Sequence, residues 1–553
     1  MTERLIFAAL GGAGEIGMNM YLYGWGAPDA EEFILVDMGV TFPSMDSTPG
    51  VDLIMPDVAW LAKRADRLRG VFITHAHEDH IGALGHLYAR LGGPRVLTRA
   101  FTGAVARAKL GEHGVDVDQV EVLGPMPHMT DVGPFQVGFL PVPHSIPEAS
   151  GLVIDTPAGR LVHTGDFKLD PDPVVGEPFD ASAWAAVAKP GVHALICDST
   201  NVFSPAPGRS EAGLAEDIGA LIEGANGLVV ATTFASNVAR LKTLAQAAQA
   251  AGRSVCVLGR AMQRMLGYAR GAGLIDDFPP VVDLEDAHEI PRDHLMLIVT
   301  GSQGERRAAS AQLANGKYLG FRLQEGDLFL FSSKTIPGNE VGVSRVINQM
   351  SEMGVRVIDD SDGRYHVSGH ANRPDLERAH GIFKPRIVVP MHGEHRHLRA
   401  HADLARAAGM ESLVAPNGTV VDLTQNAPKV VDAIEAGRTY LDGSVLIGAF
   451  DGVVLDRVRM ATRGTVVVAL MVEDGALVGD PWAEALGMPE DANAHAALQD
   501  TIEAAIAGEL GAMLAKGADD EAIERATVRA VHRVTKDQVG KKPVVRVLIN
   551  HLT

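Results

Sequence analysis

The sequence predicts an α/β protein in three parts: a strand-rich core, a second α/β domain inserted into it, and a small α+β domain toward the C-terminal end. Three observations lead there. From residue 4 to about 200, short apolar runs such as "EFILVDMG", "RVLTR", "LVIDT", "RLVHTGD" and "HALICDST" alternate with turn residues and helical stretches. From about 207 to 360, "GLVVATTFASN", "VARLKTLAQAAQAAG", "SVCVLG", "HLMLIVTGSQGE" and "GDLFLFSSKTIPGNE" repeat a strand, helix, strand order, which suggests a parallel sheet with crossovers. From 361 to about 425 the histidine-rich style of the first region returns in "RYHVSGHANRP" and "VVPMHGEHRHL", so the middle domain reads as an insertion.

Within the first region, four runs end in a polar residue at the strand tip: Asp37, His75, Asp166 and Asp198. Strand ends hold side chains rigidly while leaving access, so ligands and catalysts gather there. The middle region ends its strands in small polar residues and glycines, which suits phosphate or backbone better than metal. After "LIGAFDG" near 450 come "RGTVVVALMV", the alanine-rich "HAALQDTIEAAIAGELGAML", the helix-like "DDEAIERATVRAVHRV" and the strand-like "KKPVVRVLINHL". The expected division is 1–206 and 361–430 for the core, 207–360 for the insertion, 431–460 as a linker and 461–553 as the last domain. No fixed-period repeat or low-complexity segment interrupts it.

The 553 residues leave room for two to four domains with ample core. No run approaches the roughly 20 uninterrupted apolar residues of a bilayer span, so no membrane association is expected. The first residues lack the pattern of a secretory signal, and cytoplasmic residence is the expectation. Cys197 and Cys256 are too few for a disulfide framework and unsuited to a thiolate zinc site, which leaves His, Asp and Glu to hold any metal. With 49 basic against 69 acidic residues, the net charge of −20 argues against indiscriminate nucleic-acid binding. A local basic groove stays open.

"VFITHAHEDHIG", residues 71–82, puts three histidines and two carboxylates directly behind an apolar run. Residues two apart share a face of an extended chain, so His75 and His77 can grip one ion while the turn sends Asp79 and His80 toward a second. Imidazole and carboxylate donors without thiolate suit zinc, with manganese as the alternative. A carboxylate bridging two ions would hold them roughly 3.5 to 4 Å apart. The competing reading, a polar loop of hydrogen-bonded histidines, fits such a density of ligand types poorly.

The HxHxDH spacing behind a strand, with Gly82 after it, resembles the signature of the metallo-β-lactamase superfamily. "LGGAGEIGMN", "CDSTN", "PGRSE", "TGSQGE", "SSKTIPGNE", "HVSGHA" and "MHGE" narrow the resemblance to the ribonuclease J family of the β-CASP nucleases, from near residue 10 to about 425. It implies a metallo-β-lactamase αββα sandwich with an inserted β-CASP α/β domain and a small C-terminal α+β domain. It also implies two zinc ions per subunit: Asp166 bridging them, His144 completing the first ligand set and His392 the second. Asp198, His370 and His392 match the three β-CASP motifs, and the implied catalytic groups are Asp79, Asp198 and His370. His370 would lie near the scissile phosphate with Asp198 orienting it. A helix cap is the bland alternative for Asp198.

The resemblance further implies hydrolysis of single-stranded RNA to 5′-phosphate products, mainly from the 5′ end with preference for a monophosphate there, and internal cleavage as well. Such a preference needs a terminal phosphate pocket. Its candidates are Ser236, Ser302, Ser332, Ser333, His366, Ser368, Gly369 and His370, each of which could equally be a turn or cap residue. Lys334, Arg260, Arg264 and Arg373 are candidates for a positive path along the backbone. A homodimer or homotetramer and other RNA-decay proteins are the implied partners. His163, His395, His397 and His401 read as ordinary histidines. Two departures stand out: Ala76, where glycine is expected, and 478–496, which resembles the family poorly. Rival readings are a thioester or lactone hydrolase on the same core and a non-catalytic RNA-binding subunit. The inserted domain speaks against the first and the complete ligand set against the second.

Overall fold

The computed structural model describes residues 3–336, 338–490 and 496–552. Pro337 of "SSKTIPGNE", positions 491–495, and the terminal residues 1, 2 and 553 lie outside the described residues. The chain forms two compact units, one of Met1–Thr41 with Met55–Arg438, the other of Phe42–Ile54 with Thr439–Thr553.

The first unit is built on two facing sheets. One has eight strands, in the order Lys429–Ala433, Thr419–Asp422, Arg4–Gly11, Met20–Gly26, Glu32–Val36, Leu68–Phe72, Val96–Thr98 and Val120–Val122. The other has seven: Glu411–Ser412, Ile387–Met391, Ala194–Asp198, Gly159–His163, Ser150–Thr156, Phe135–Pro141 and Thr130–Val132. Alternation along each strand sends one set of side chains inward. Phe7, Tyr21, Tyr23, Ile34 and Phe72 of the first sheet meet Phe139, Leu152, Ile154, Ile196 and Val389 of the second in one continuous core. Phe72 and Phe139 lie with ring centroids 6.0 Å apart. The strand Ala194–Asp198 has parallel neighbours on both edges and is buried along its whole length, so it reads as an apolar run ending in one carboxylate.

The return segment repeats this strand-to-helix design. Asn372 and Asp375 form a capping box at the start of the helix Arg373–Phe383. The next strand, Ile387–Met391, runs into the helix His395–Ala407. Between the two arms of the core lies an all-parallel sheet ordered Ser254–Leu258, Leu295–Val299, Val229–Thr232, Leu328–Phe331 and Arg356–Ile358. Its strands buried on both faces match the near-continuous apolar runs of the sequence. The fully buried Arg240 ties this sheet to the return segment, donating to Ser332 O at 2.8 Å and Tyr365 O at 3.2 Å while pairing with Glu211 at 2.6 Å. Buried without that carboxylate, its charge would cost several kcal/mol.

The second unit pairs the strands Thr465–Glu473 and Val544–His551 in parallel and adds Trp482–Leu486 and Ala476–Leu477. Ile502, Ile506, Leu510 and Leu514 recur every fourth residue on the helix Leu498–Leu514 and pack with Val466, Val468, Ala526 and Val531. Asp519 caps the helix Asp520–Val539 by accepting from Ala522 N at 2.8 Å. The segment Phe42–Ile54, which the sequence reading left in the N-terminal core, belongs here: Asp52 N donates to Leu441 O at 2.8 Å and Gly443 N to Asp52 Oδ2 at 2.8 Å. Among the described residues no helix is long and apolar enough to cross a membrane.

Candidate metal centre

The strand Leu68–Phe72 runs on in extended chain, and His75 and His77 turn their rings the same way, as the spacing of two requires. His75 Nε2 lies 3.1 Å from His77 Nδ1, which lies 3.1 Å from His144 Nε2. Asp166 Oδ2 closes the group at 3.8 Å from His75 Nε2 and 3.7 Å from His144 Nε2. His144 Nδ1 donates to the carbonyl of Gly369 at 2.6 Å, which fixes the tautomer and leaves Nε2 as a lone-pair donor facing the cluster.

Four residues on, the short helix Glu78–Ile81 redirects the chain and presents Asp79 and His80 to a second group. His80 Nε2 lies 3.1 Å from Asp166 Oδ2, and His392 Nδ1 2.7 Å from Asp166 Oδ1. Asp79 Oδ2 is 3.3 Å from His392 Nε2. Asp166 therefore belongs to both groups, one oxygen turned toward each histidine of the second. His392 sits in the left-handed region at φ 49° immediately after its strand, a strained backbone of the kind found where a side chain must be aimed.

Electrostatics test whether these residues fit metal. Burial pushes His75 and His144 well below the usual imidazole range and His77 down to about 4, so all three stay neutral with free lone pairs. Burial acts the same way on His80 and His392, but Asp166 and its neighbouring carboxylates outweigh it, lifting His80 well up and His392 to about 10. Protons on His80 and His392 offset the charge of the buried Asp166. His392 Nε2 is also buried without a hydrogen-bond partner. Three converging neutral imidazoles, buried carboxylates held by borrowed protons and an orphaned ring nitrogen all fit divalent cations.

Beside the clusters, His370 Nδ1 lies 2.8 Å from Asp198 Oδ2, while Asp198 Oδ1 accepts from Thr200 N at 2.9 Å and Thr200 Oγ1 at 2.7 Å. Asp198 thus caps its own turn and holds a histidine, and no helix starts at it. Burial lowers His370, but Asp198 and Asp166 prevail and raise it.

The phosphate candidates separate. His366 Nδ1 and Ser333 Oγ are buried without partners. Burial, then Arg240, Lys334, Lys168 and Arg209, depress His366 to about 3, which marks its surroundings as positive. Ser332 needs correction: its hydroxyl donates to Tyr365 O at 2.6 Å and receives Arg240 Nη1 at 2.9 Å, so it is engaged in holding the fold. Gly369 gives its carbonyl to His144, and Ser368 Oγ accepts from Asn201 Nδ2 at 2.8 Å and His370 N at 3.2 Å; both order the motif from within. Ser236 lies in the turn before the helix Val238–Ala250, and Ser302 is buried after the strand Leu295–Val299. Of the basic candidates, Arg264 pairs with Glu112 at 3.2 Å and Arg373 with Glu377 at 3.3 Å, and Arg260 is exposed at the start of the helix Arg260–Gly271. Only Lys334 acts on the pocket.

Sequence reasoning marked Asp37 only as a strand-tip residue without a role and missed Asn19, and these two hold the ligands. Asp37 accepts from His80 and Thr74, and Asn19 Nδ2 reaches His80 Nε2 at 2.9 Å and Asp79 Oδ2 at 3.2 Å. A signal was present for both: Asp37 ends a buried strand run, and Asn19 ends "LGGAGEIGMN". His163 is an interior histidine, its Nδ1 2.8 Å from Tyr23 Oη.

A four-layer core carrying paired His/Asp clusters that share one carboxylate defines a metallo-hydrolase. Family models match accordingly: a β-lactamase superfamily domain over 43–187, a Zn-dependent metallo-hydrolase RNA specificity domain over 364–416, the ribonuclease J β-CASP domain over 226–350 and the ribonuclease J C-terminal domain over 452–552. The chain is 40% identical to ribonuclease J of Sinorhizobium meliloti, over 99% of this chain and 97% of that one. It is 36% identical to ribonuclease J of Mycolicibacterium smegmatis, over 97% and 95%. The chain belongs to the ribonuclease J family. A solved structure of a protein of unknown function from Enterococcus faecalis shares the fold, with TM-score 0.52 at 17% identity over 76% of this chain and 100% of that one.

Proposed function

We propose that this enzyme, an RNA-specific metallo-hydrolase by its family, cleaves RNA phosphodiesters with two zinc ions per subunit, manganese being the alternative. The observation that carries this is Asp166, one carboxylate shared by two complete ligand sets beside the His370–Asp198 pair. His75, His77, His144 and Asp166 would hold one ion, and Asp79, His80, Asp166 and His392 the other. When bound, the ions supply Lewis-acid neutralisation of phosphate charge and make hydroxide available at neutral pH. The chain's own residues do the rest. Asp79, 30% exposed where Asp166 is 2%, is the carboxylate open to the attacking water and orients it by accepting its hydrogen bond. Protonated His370, held by Asp198, stabilises charge on the phosphate and donates a proton to the leaving oxygen.

With the 3′-oxygen as the leaving group, attack by water leaves the phosphate on the 5′ end of the downstream RNA. His366, Ser333 and the cations around them would receive a terminal 5′-monophosphate, which favours stepwise degradation from the 5′ end over internal cleavage. We assign 1–41, 55–206 and 361–430 to the catalytic core and 207–360 to substrate binding. Work in the cytoplasm is consistent with Cys197 and Cys256 both being free thiols. Self-association as a dimer or tetramer and contact with other RNA-decay proteins complete the proposal.

The test follows a 3′-labelled single-stranded RNA bearing a 5′-monophosphate, triphosphate or hydroxyl. Release of nucleoside 5′-monophosphates, fastest from the monophosphorylated substrate, is expected. Internal fragments that ignore the 5′ end would overturn the terminal pocket, and no cleavage by zinc- or manganese-loaded protein would overturn the nuclease reading.

A further inference from the structure

A second constellation of metal-competent side chains lies outside the catalytic clusters. Along the strand Ala194–Asp198, Ala194 and Ile196 point into the core between the sheets, so Cys197 faces the opposite layer. There it meets His380 of the helix Arg373–Phe383 and His401 of the helix His395–Ala407. Their donor atoms lie within 4.8 Å of one another, and all three residues are buried.

The histidines are arranged as ligands are. His380 Nε2 lies 3.1 Å from His401 Nε2, the same spacing that separates neighbouring ring nitrogens of the first catalytic cluster. His401 Nδ1 lies 2.9 Å from Ser199 Oγ, whose hydroxyl is directed at Cys197 O at 3.4 Å. With that hydroxyl donating to the carbonyl, Nδ1–H of His401 donates to its oxygen, and the His401 Nε2 lone pair faces His380. Fixing one ring nitrogen by a hydrogen bond so that the other can ligate is how metal-binding histidines are oriented. His380 also lines a surface pocket of about 500 Å³ with Arg373, Lys384 and Met410, which brings solvent to its side of the cluster.

We propose that Cys197, His380 and His401 bind a third divalent ion of the zinc class through one sulfur and two nitrogens. Binding would convert the thiol to thiolate and release its proton to solvent. The expectation that metal sits only on His, Asp and Glu is revised with it. The three ligands come from the three segments that build the reaction centre: Cys197 adjoins Asp198, His380 follows His370 by ten residues, and His401 follows His392 by nine. An ion here would clamp those segments together from behind.

The test uses the full chain, stripped of metal and reloaded with cobalt(II). The catalytic clusters contain no thiolate, so a near-ultraviolet sulfur-to-cobalt charge-transfer band reports this site alone. The band should appear in the wild type and in Cys256→Ser and be lost in Cys197→Ser, which should also bind one ion fewer per chain. His380→Gln, which keeps the sulfur, should likewise lose one ion and weaken the band, and it serves if Cys197→Ser does not fold. Absence of the band from the wild type, its persistence in Cys197→Ser, or equal ion counts in the wild type and His380→Gln would overturn the site and leave a simple N–H···N hydrogen bond between the histidines.

Discussion

Asp37 holds His80 from behind: its Oδ2 lies 2.7 Å from His80 Nδ1, while Oδ1 accepts from Thr74 N at 2.7 Å. The carboxylate fixes which ring nitrogen faces the metal centre and is itself pinned to the strand end. Asp37→Ala should weaken metal binding at the Asp79–His80–His392 set by about 10- to 100-fold and leave the His75–His77–His144 set loaded. Metal titration of the stripped protein separates the two affinities. Equal weakening of both would mean that Asp37 serves the fold rather than one ion.

Gly369 is a glycine because His144 leaves no room for more. A Cβ there would meet His144 Cε1 and Ser145 Oγ, each at 2.7 Å, and would push the ring off the carbonyl that orients it. Gly369→Ala should lower kcat by about 10-fold or more, because a ligand displaced by even 1 Å is costly at a reacting centre. It should also weaken metal binding at the His144 site. Unchanged turnover together with unchanged metal content would show that His144 can shift without consequence.

His370 titrates high because Asp198 and Asp166 overcome its burial. As the proton donor it is active when protonated, so activity falls at alkaline pH as it loses that proton. Removing the 2.8 Å carboxylate contact by Asp198→Asn should lower its pKa and move the alkaline limb of the pH–rate profile down by about 1 unit or more. A limb that stays in place while kcat falls would assign the titration to another group.

Burial holds His163 at about 3, below the 6.5 of a free imidazole. Between those values the unfolded chain binds a proton that the folded chain refuses, so stability present above pH 6.5 is lost as pH falls toward 3. The slope is about 1.4 kcal/mol per pH unit for one proton of difference. His163→Gln, which can still bond Tyr23, should flatten the loss between pH 6.5 and 5 in denaturant titrations of the stripped protein. Parallel losses in both proteins would show that His163 protonates while folded.

The sequence displayed the parts of this site that depend on local spacing. HxHxDH works because two histidines share a face and the next turn faces elsewhere, and the strand-tip positions of Asp166 and Asp198 follow from apolar runs that end in one carboxylate. What holds those residues was less legible, because it depends on encounters across the fold. Gly369 meets His144 across 225 residues and Asp37 meets His80 across 43. Ser332 looked like a phosphate binder since its neighbours are small and polar, yet Arg240 claims its hydroxyl from a helix about 90 residues away. Cys197 was set aside because a thiolate zinc site was sought in cysteine spacing, whereas its companions are two histidines on separate helices.

Phe42–Ile54 and Thr439–Thr553 make up one compact unit. On a ribosome, the first of these pieces is made before residues 55–438 and waits while they are synthesised. At roughly 5 to 20 residues per second that interval lasts on the order of 20 to 80 seconds. Throughout it, Asp52 has neither Leu441 nor Gly443 to bond. Closure of the second unit thus waits on synthesis of its Thr439–Thr553 part, and a chain stopped before that part carries an early segment without its partners.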